Sequence, residues 1–176
     1  MENLVEDALD MSRYENKKFT ATVELLDIRK IIRETCEIMN FQIKAKNLNL
    51  NLNIDQNIPD LIETDGKRYR QVLFNLLGNA IKFTFKGNID VNTYFINNYL
   101  ATEIKDTGIG IKEEDQSKLF KFFGKIDHSS NINKGGMGLG LTISKMIVQE
   151  LGGEINMKSI RDHGTTFTFS ILIKKM

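Results

Sequence analysis

Apolar residues recur at spacings of three and four over some stretches of this chain and at every second position over others, and the changes of period divide it into helices and strands. Leu4, Val5, Ala8, Leu9, Met11 and Ser12 form one seam on a helix covering residues 1 to about 15. Such a seam needs a partner surface, and the segment has no cap of its own. It is expected to be the end of a longer helix from a neighbouring domain, the alternative being a starting helix folded onto its own domain. Asp27 then reads as the N-cap of a helix with Ile28, Ile31, Ile32, Thr35, Met39 and Ile43 inside. Leu48, Leu50, Leu52 and Ile54 alternate with Asn49, Asn51 and Asn53, a strand with one wet face. Pro59 precedes a second helix from Lys67 to Phe83. Ile89 to Ile96 and Tyr99 to Asp106 alternate around Asn97 and Asn98, a tight hairpin. After a weakly periodic, lysine-rich connection from Lys112 to Lys134 comes a helix from Leu139 to Leu151, stopped at Gly152 and Gly153. Strands at Ile155 to Ser159 and Thr165 to Ile173 complete the pattern. The predicted architecture is α/β, a two-layer sandwich of a mixed, mainly antiparallel sheet covered by helices.

The chain has 176 residues, enough for one domain with a short appendage, and the expected division is 1–20 and 21–176. With 24 basic and 23 acidic residues, its net charge of +1 gives no reason to expect nucleic acid as a partner. The single cysteine, Cys36, falls in an apolar helical pattern and reads as packing, not as a nucleophile. A reducing, cytoplasmic setting is expected. No apolar run approaches the roughly 18 residues of a membrane helix, although a longer parent protein could still be membrane-anchored.

On the Lys67 to Phe83 helix, Val72, Leu73, Leu76, Leu77, Ala80 and Ile81 form a wide apolar face. Gln71, Asn75, Asn79 and Lys82 line up beside it. Asparagine is a poor residue in mid-helix, so two on one stripe point to a task beyond helix formation. A neutral amide oxygen ligates Mg2+ without adding negative charge beside phosphates, and Mg2+ takes only one or two protein ligands. Asn79 is the candidate metal ligand. Asn75, one turn earlier, would orient it or hydrogen-bond a phosphate or water, and Lys82 would offer a point charge. Taken alone, the stripe also reads as a solvated polar face.

Asp106 shares the parity of Leu100, Thr102 and Ile104, so it points to the core side of its strand. A buried carboxylate needs a partner: either the backbone of the DTG turn or a ligand donor such as the exocyclic amine of adenine. Gly108 and Gly110 remove side chains just after it, which would let a flat ring approach the backbone. In GGMGLGL, Gly136, Gly138 and Gly140 lead into an apolar helix, so N–H groups and the positive helix end face an incoming phosphate; the same glycines would also serve as a hinge. Lys134, beside this turn, is the candidate γ-phosphate contact. Leu119, Phe120, Phe122 and Phe123 either pack beneath this lid or form a patch for a partner.

With these residues in order, the chain resembles the catalytic, ATP-binding domain of sensor histidine kinases, within the gyrase, Hsp90, histidine kinase and MutL superfamily. Asn75 to Thr84 matches the family's N box, Asp106 to Gly110 its first glycine box, Gly136 to Leu141 its second, and Gly164 to Phe167 its third. The resemblance implies the Bergerat fold with its left-handed connection, Mg2+ on Asn79, adenine on Asp106 and phosphate contacts from Gly136, Gly138, Leu139 and Gly140. It also implies a hydroxyl from Thr165 near the aspartate. Residues 3 to 19, NLVEDALDMSRYENKKF, resemble the end of the family's dimerisation helix and the connection after it. Two positions depart from the pattern: Met137 stands where Thr or Ser is common, and Lys121 and Phe122 replace an acidic residue and proline of the F box.

The family's phosphoacceptor histidine lies in an H box on the first dimerisation helix, and neither His128 nor His163 has that context. The expectation is a chain that binds ATP and transfers its γ-phosphoryl group to a histidine on a dimerisation domain of the same homodimeric parent, with a response regulator receiver domain downstream. The rivals are a catalytically silent nucleotide-binding regulatory module of the same fold and an ATP clamp of the chaperone or topoisomerase kind.

Overall fold

The computed structural model describes residues 9, 10, 12, 20–119 and 139–173. Five strands form the main sheet: β2 (Asn49–Ile54), β4 (Asn88–Ile96), β5 (Tyr99–Asp106), β7 (Gly164–Leu172) and β6 (Ile155–Ile160), in that spatial order. Only β2 and β4 run parallel; the other neighbours are antiparallel, so the sheet is mixed, as its alternating stretches and one helical crossover predict. A separate two-stranded pair joins β1 (Glu24–Leu26) to β3 (Ile62–Thr64). This pair was not expected from the sequence, because three-residue strands are too short to show a period.

Three helices cover one face. α2 (Gly66–Phe83) lies between α1 (Ile28–Ala45) and α4 (Gly140–Glu150), and a short α3 (Glu113–Gln116) precedes the undescribed stretch. Both long helices at the N-terminal end carry an aspartate cap: Asp27 accepts from Lys30 N at 3.2 Å and Asp65 from Arg68 N at 2.9 Å. The second cap moves the start of α2 one residue ahead of the sequence reading. At the other end of α2, Lys46 Nζ donates to the carbonyls of Ile81 at 2.5 Å and Lys82 at 3.3 Å, satisfying groups that the last turn leaves open.

Asn97 and Asn98 take φ of 49° and 66°, the left-handed pair that a two-residue hairpin needs. The hairpin fixes the register of β4 and β5, so Ile89, Val91 and Thr93 face Asp106, Ile104 and Thr102 on the core side. The opposite face of the sheet is polar: Asn51 bonds Asp90 at 2.6 Å, Asn53 bonds Asn92 at 2.8 Å, and Asn92 reaches Glu103 at 3.0 Å. The asparagines of β2 thus form cross-strand rungs that favour this register over a one-residue slip.

The core includes Ile28, Ile32, Leu73, Leu76, Leu77, Ile104 and Phe169, all fully buried. Cys36 is buried among them, and burial raises its thiol to about 11, which suits packing and not nucleophilic chemistry. Among the described residues, no helix is long and apolar enough to cross a membrane.

Among the described residues, Tyr69 is the one large polar side chain wholly inside this core. Its hydroxyl pairs with Thr102 Oγ1 at 2.6 Å and its ring packs on Phe169 at 5.3 Å, tying α2 to the two central strands. Tyr69→Phe keeps the ring and leaves the buried Thr102 hydroxyl without this partner, so it should lower unfolding free energy by about 1 to 3 kcal/mol. Urea unfolding followed by circular dichroism measures the loss.

Candidate nucleotide site

Asp106 ends β5 directly opposite Ile89 and Thr165, and it is buried, as its parity predicts. Its Oδ1 accepts from Gly108 N at 2.8 Å and from Thr165 N at 3.3 Å. The aspartate therefore caps the turn that follows it, and it does so with one oxygen; no described residue donates a hydrogen bond to Oδ2 within bonding geometry. Thr84, the last residue of the N-box motif, is fully buried beside it, and among the described residues its hydroxyl meets no hydrogen-bond partner in good geometry. Burial pushes the Asp106 carboxyl above the ordinary aspartate range, while the Gly108 and Thr165 amides and the nearby Thr84 hydroxyl hold it down in part. A half-used carboxylate beside an orphaned hydroxyl is a donor–acceptor pair suited to a polar ring edge.

The turn after Asp106 is wedged between two other elements. Ile109 N donates to the Phe83 carbonyl at 3.1 Å, joining it to the end of α2, and Asp162 N donates to the Ile109 carbonyl at 2.7 Å, joining it to the β6–β7 turn. A Cβ at Gly108 would stand 2.4 Å from Phe83 O, and one at Gly110, where φ is +61°, would stand 2.0 Å from Ile160 O. Both glycines are thus required by the approach of protein backbone. That reason lies closer to hand than the approach of a ring expected from the sequence.

Along α2, Asn75, Asn79 and Phe83 succeed one another at one-turn intervals of about 6 Å. The Phe83 end touches the Asp106 turn, and Asn75 touches the start of α4: its Nδ2 donates to Ser144 Oγ at 2.8 Å, and a Cβ at Gly140 would lie 2.3 Å from its Oδ1. Asn79 lies midway, half-buried, with no hydrogen bond of its amide to another described residue. The stripe thus bridges the carboxylate turn and the helix that follows the glycine run. Lys82 stands with its ammonium 5.2 Å from the centre of the Phe83 ring. α4 begins at Gly140 after a buried Leu139 and carries no side-chain cap on its first turn.

Other expected residues take different places. Gln71, first on the polar stripe, bonds Asp10 and Arg68 and is not beside Asp106. The Thr165 hydroxyl is paired with Ser159 Oγ at 2.8 Å, so it is the Thr165 amide that serves the aspartate. His163 is exposed, its ring against the Arg161 carbonyl, an ordinary surface histidine. Lys134, Gly136, Met137, Gly138, Phe120, Lys121, Phe122, Phe123 and His128 lie outside the described residues. Three residues at the site escaped the sequence reading. Thr84, Ser144 and Ser159 are small hydroxyl residues whose surroundings are settled only by tertiary packing.

A two-layer sandwich with an acid at the end of its central strand and an asparagine stripe on the neighbouring helix defines a class of nucleotide-binding domain. The chain belongs to the histidine kinase-, DNA gyrase B- and HSP90-like ATPase family, whose model matches residues 64–175. It is 39% identical over 173 residues to the signal transduction histidine-protein kinase BarA of Escherichia coli, covering 96% of this chain and 19% of that protein. It is 32% identical to the aerobic respiration control sensor protein ArcB of the same species, over 96% of this chain and 22% of ArcB. With hybrid signal transduction histidine kinase B of Dictyostelium discoideum the figures are 34%, 96% and 9%. The chain therefore spans a small part of the length of these curated relatives. Among solved structures, full-length ShkA in complex with AMPPNP matches 99% of this chain and 36% of its own, at 26% identity and a TM-score of 0.87. The catalytic domain of the histidine kinase ThkA matches 86% of this chain and 97% of its own, at 28% identity and a TM-score of 0.73. The fold is that of histidine kinase catalytic domains.

The raised carboxyl of Asp106 has a consequence for stability. Folding favours its protonated form, so this group's contribution is undiminished below the unfolded-state pKa and falls as pH rises through the folded-state value. Asp106→Asn should remove that decrement, leaving the variant more stable than the parent at neutral pH and similar to it in acid. Denaturant titrations of both proteins across that range test the crossing.

Proposed function

We propose that this domain binds Mg·ATP and presents the γ-phosphoryl group to a histidine on a dimerisation domain of the same parent protein. The observation that carries the reading is the Asp106 carboxylate, buried with one oxygen uncommitted among the described residues beside the buried Thr84 hydroxyl at the end of α2, the helix that carries Asn79. The carboxylate would accept from the exocyclic amine of adenine and would repel the carbonyl that guanine carries there, which gives selectivity between purines.

Asn79 is the residue suited to hold Mg2+, its neutral oxygen leaving the remaining positions to phosphate and water; the ion would neutralise phosphate charge during transfer. The uncapped N-terminus of α4, with Leu139 and Gly140, supplies N–H groups for phosphate, and Gly136, Gly138, Lys134 and Lys82 extend that set. Phosphoryl transfer asks mainly for positioning and charge neutralisation, so the domain needs no base of its own. The named histidine kinases among its relatives, and the AMPPNP bound in ShkA, support this assignment. On the same reading, residues 1–20 are the end of the dimerisation helix and its connection, 21–176 are the catalytic domain, and a receiver domain takes the phosphoryl group onward.

Calorimetric titration with Mg·ATP should show binding that Asp106→Asn weakens by about 1 to 3 kcal/mol, the worth of a charge-assisted hydrogen bond. Equal affinities would remove Asp106 from the site. Asn79→Asp should abolish the gain in affinity that Mg2+ provides over EDTA, because it sets a second negative charge against the phosphates.

Mixing the chain with an H-box dimerisation domain and γ-labelled ATP then decides between transfer and silent binding. Acid-labile, base-stable label on the histidine domain supports the kinase. Binding without transfer would point to the regulatory module that Met137 and the altered F box suggest. Rapid turnover without any acceptor would point to an ATP clamp.

A further inference from the structure

The two long helices α1 and α2 leave an apolar groove on their outer side. They run alongside each other in the same direction: Arg70 Nη2 donates to Glu34 Oε2 at 2.7 Å near their starts, and Lys46 Nζ donates to the Ile81 carbonyl at their ends. These partners are 36 and 35 residues apart in the chain, so one offset holds along the whole contact. Ile38, Phe41 and Ala45 follow Glu34 on its side of α1, and Phe74 and Gly78 follow Arg70 on its side of α2, all at helical spacings. Ile38 is 56% and Phe41 81% exposed, Ala45 is exposed, and Phe74 is half-buried. Phe85, 54% exposed, ends the strip, with the Lys46 ammonium 5.4 Å from its ring centre.

Gly78 is the member of this strip that folding does not explain. Glycine is unfavourable in mid-helix relative to alanine. A Cβ at Gly140 or Gly108 would collide with neighbouring atoms, but one at Gly78 would meet nothing within 4 Å. The missing side chain therefore serves no packing among the described residues; it leaves room for a body that approaches α2 from outside, between the rings of Phe41 and Phe74.

Charge narrows what that body is. Lys44, Lys46 and Lys86 gather at the foot of the groove, on or just past the ends of the two helices, and no described acidic side chain pairs with any of them. Three full charges outweigh the partial negative charge of two helix ends. At the head, Glu34 is already held by Arg70, and by Lys30 at 4.0 Å. A second copy of this chain would bring the same lysines with it, so the charges favour an acidic partner instead. From Ile38 to Ala45 the strip covers about 10 Å, the contact length of a short helix laid in a groove.

We propose that the α1–α2 groove docks an amphipathic helix from outside this chain, one that sets a large apolar side chain over Gly78 and carboxylates against Lys44, Lys46 and Lys86. The site lies on the flank of α2 away from Asn75, so its occupancy does not depend on the nucleotide reading.

The probe is a short helical peptide with leucine and phenylalanine on one face and glutamate on the flanks, compared with its counterpart carrying lysine for glutamate. Titrated into the isotope-labelled chain and followed by amide NMR, the glutamate peptide should shift Ile38, Phe41, Phe74 and Gly78 saturably. The lysine peptide should bind about tenfold more weakly at low salt, the gap closing as salt rises. Phe41→Ser and Gly78→Gln should each weaken the glutamate peptide by about tenfold while circular dichroism shows the parent fold. Gly78→Ala should raise the thermal midpoint; a lower midpoint would show that the glycine serves the fold and would overturn the argument from it. No saturable binding, equal binding of the two peptides, or shifts confined to other residues would overturn the docking site. Sedimentation velocity completes the test, since a concentration-dependent dimer lost in Phe41→Ser would assign the groove to a second copy and sink the acidic helix.

Discussion

An acid held in the core at the end of the central strand constrains everything around it. Asp106 is deprived of water, and the cost is offset in part by two backbone amides that converge on one oxygen. For Gly108 N to reach it, the chain must turn immediately, and the turn must fit under the Phe83 carbonyl. For Thr165 N to reach it, β7 must pair with β5 in a register that sets Thr165 opposite Asp106, so close that a Cβ on Gly164 would lie 2.0 Å from the Asp106 carbonyl oxygen. The end of α2, the first glycine turn and the third glycine segment are therefore one packed unit around a single carboxylate. A ligand that donates to the remaining oxygen meets a site whose geometry is already fixed, with the reorganisation cost met in folding.

Much of this was legible in the sequence because it depends on period and parity, which are local. The inward aspartate follows from its two-residue step from Ile104, the hairpin from Asn97 and Asn98, and the first helix from its Asp27 cap. What was illegible depends on pairing across long stretches of chain. The β1–β3 ladder joins segments of three residues, too short for a period. The parallel placement of β2 beside β4 is decided by the crossover through α2 and by asparagine rungs whose partners lie 39 residues away. Gln71 shows the limit most clearly. Its spacing set it on the same stripe as the two asparagines, and helical spacing alone does not tell where along a stripe one neighbour ends and the next begins; its partner Asp10 lies 61 residues earlier.

The same long-range contacts divide the labour along α2. Its first turns bond Asp10, its last turn is closed by Lys46 and the DTG turn, and Asn75 faces α4. Asn75, expected to orient the metal ligand or to hydrogen-bond a phosphate or water, is here engaged in seating that helix. Its donor is taken by Ser144 and its amide fills the space above Gly140, so the last glycine of the run is needed for contact with the asparagine as much as for any turn. Asn79, one turn on, has no such obligations and remains the side chain with chemistry to spare.

This arrangement also fixes both anchors of the stretch between α3 and α4. On one side Gln116 Nε2 donates to the carbonyls of Ile111 at 3.1 Å and Ser159 at 3.0 Å, while Ser159 Oγ accepts from Ile111 N at 2.8 Å, binding the approach to β6. On the other, Ser144 and Gly140 are bound to α2 through Asn75. One anchor rests on the sheet strand that pairs with Thr165, and the other on the helix that carries Asn79, so the two attachments report on opposite walls of the nucleotide site. A ligand that spanned the Asp106 turn and α2 would therefore bear on both attachments, through Ser159 on one side and Ser144 on the other.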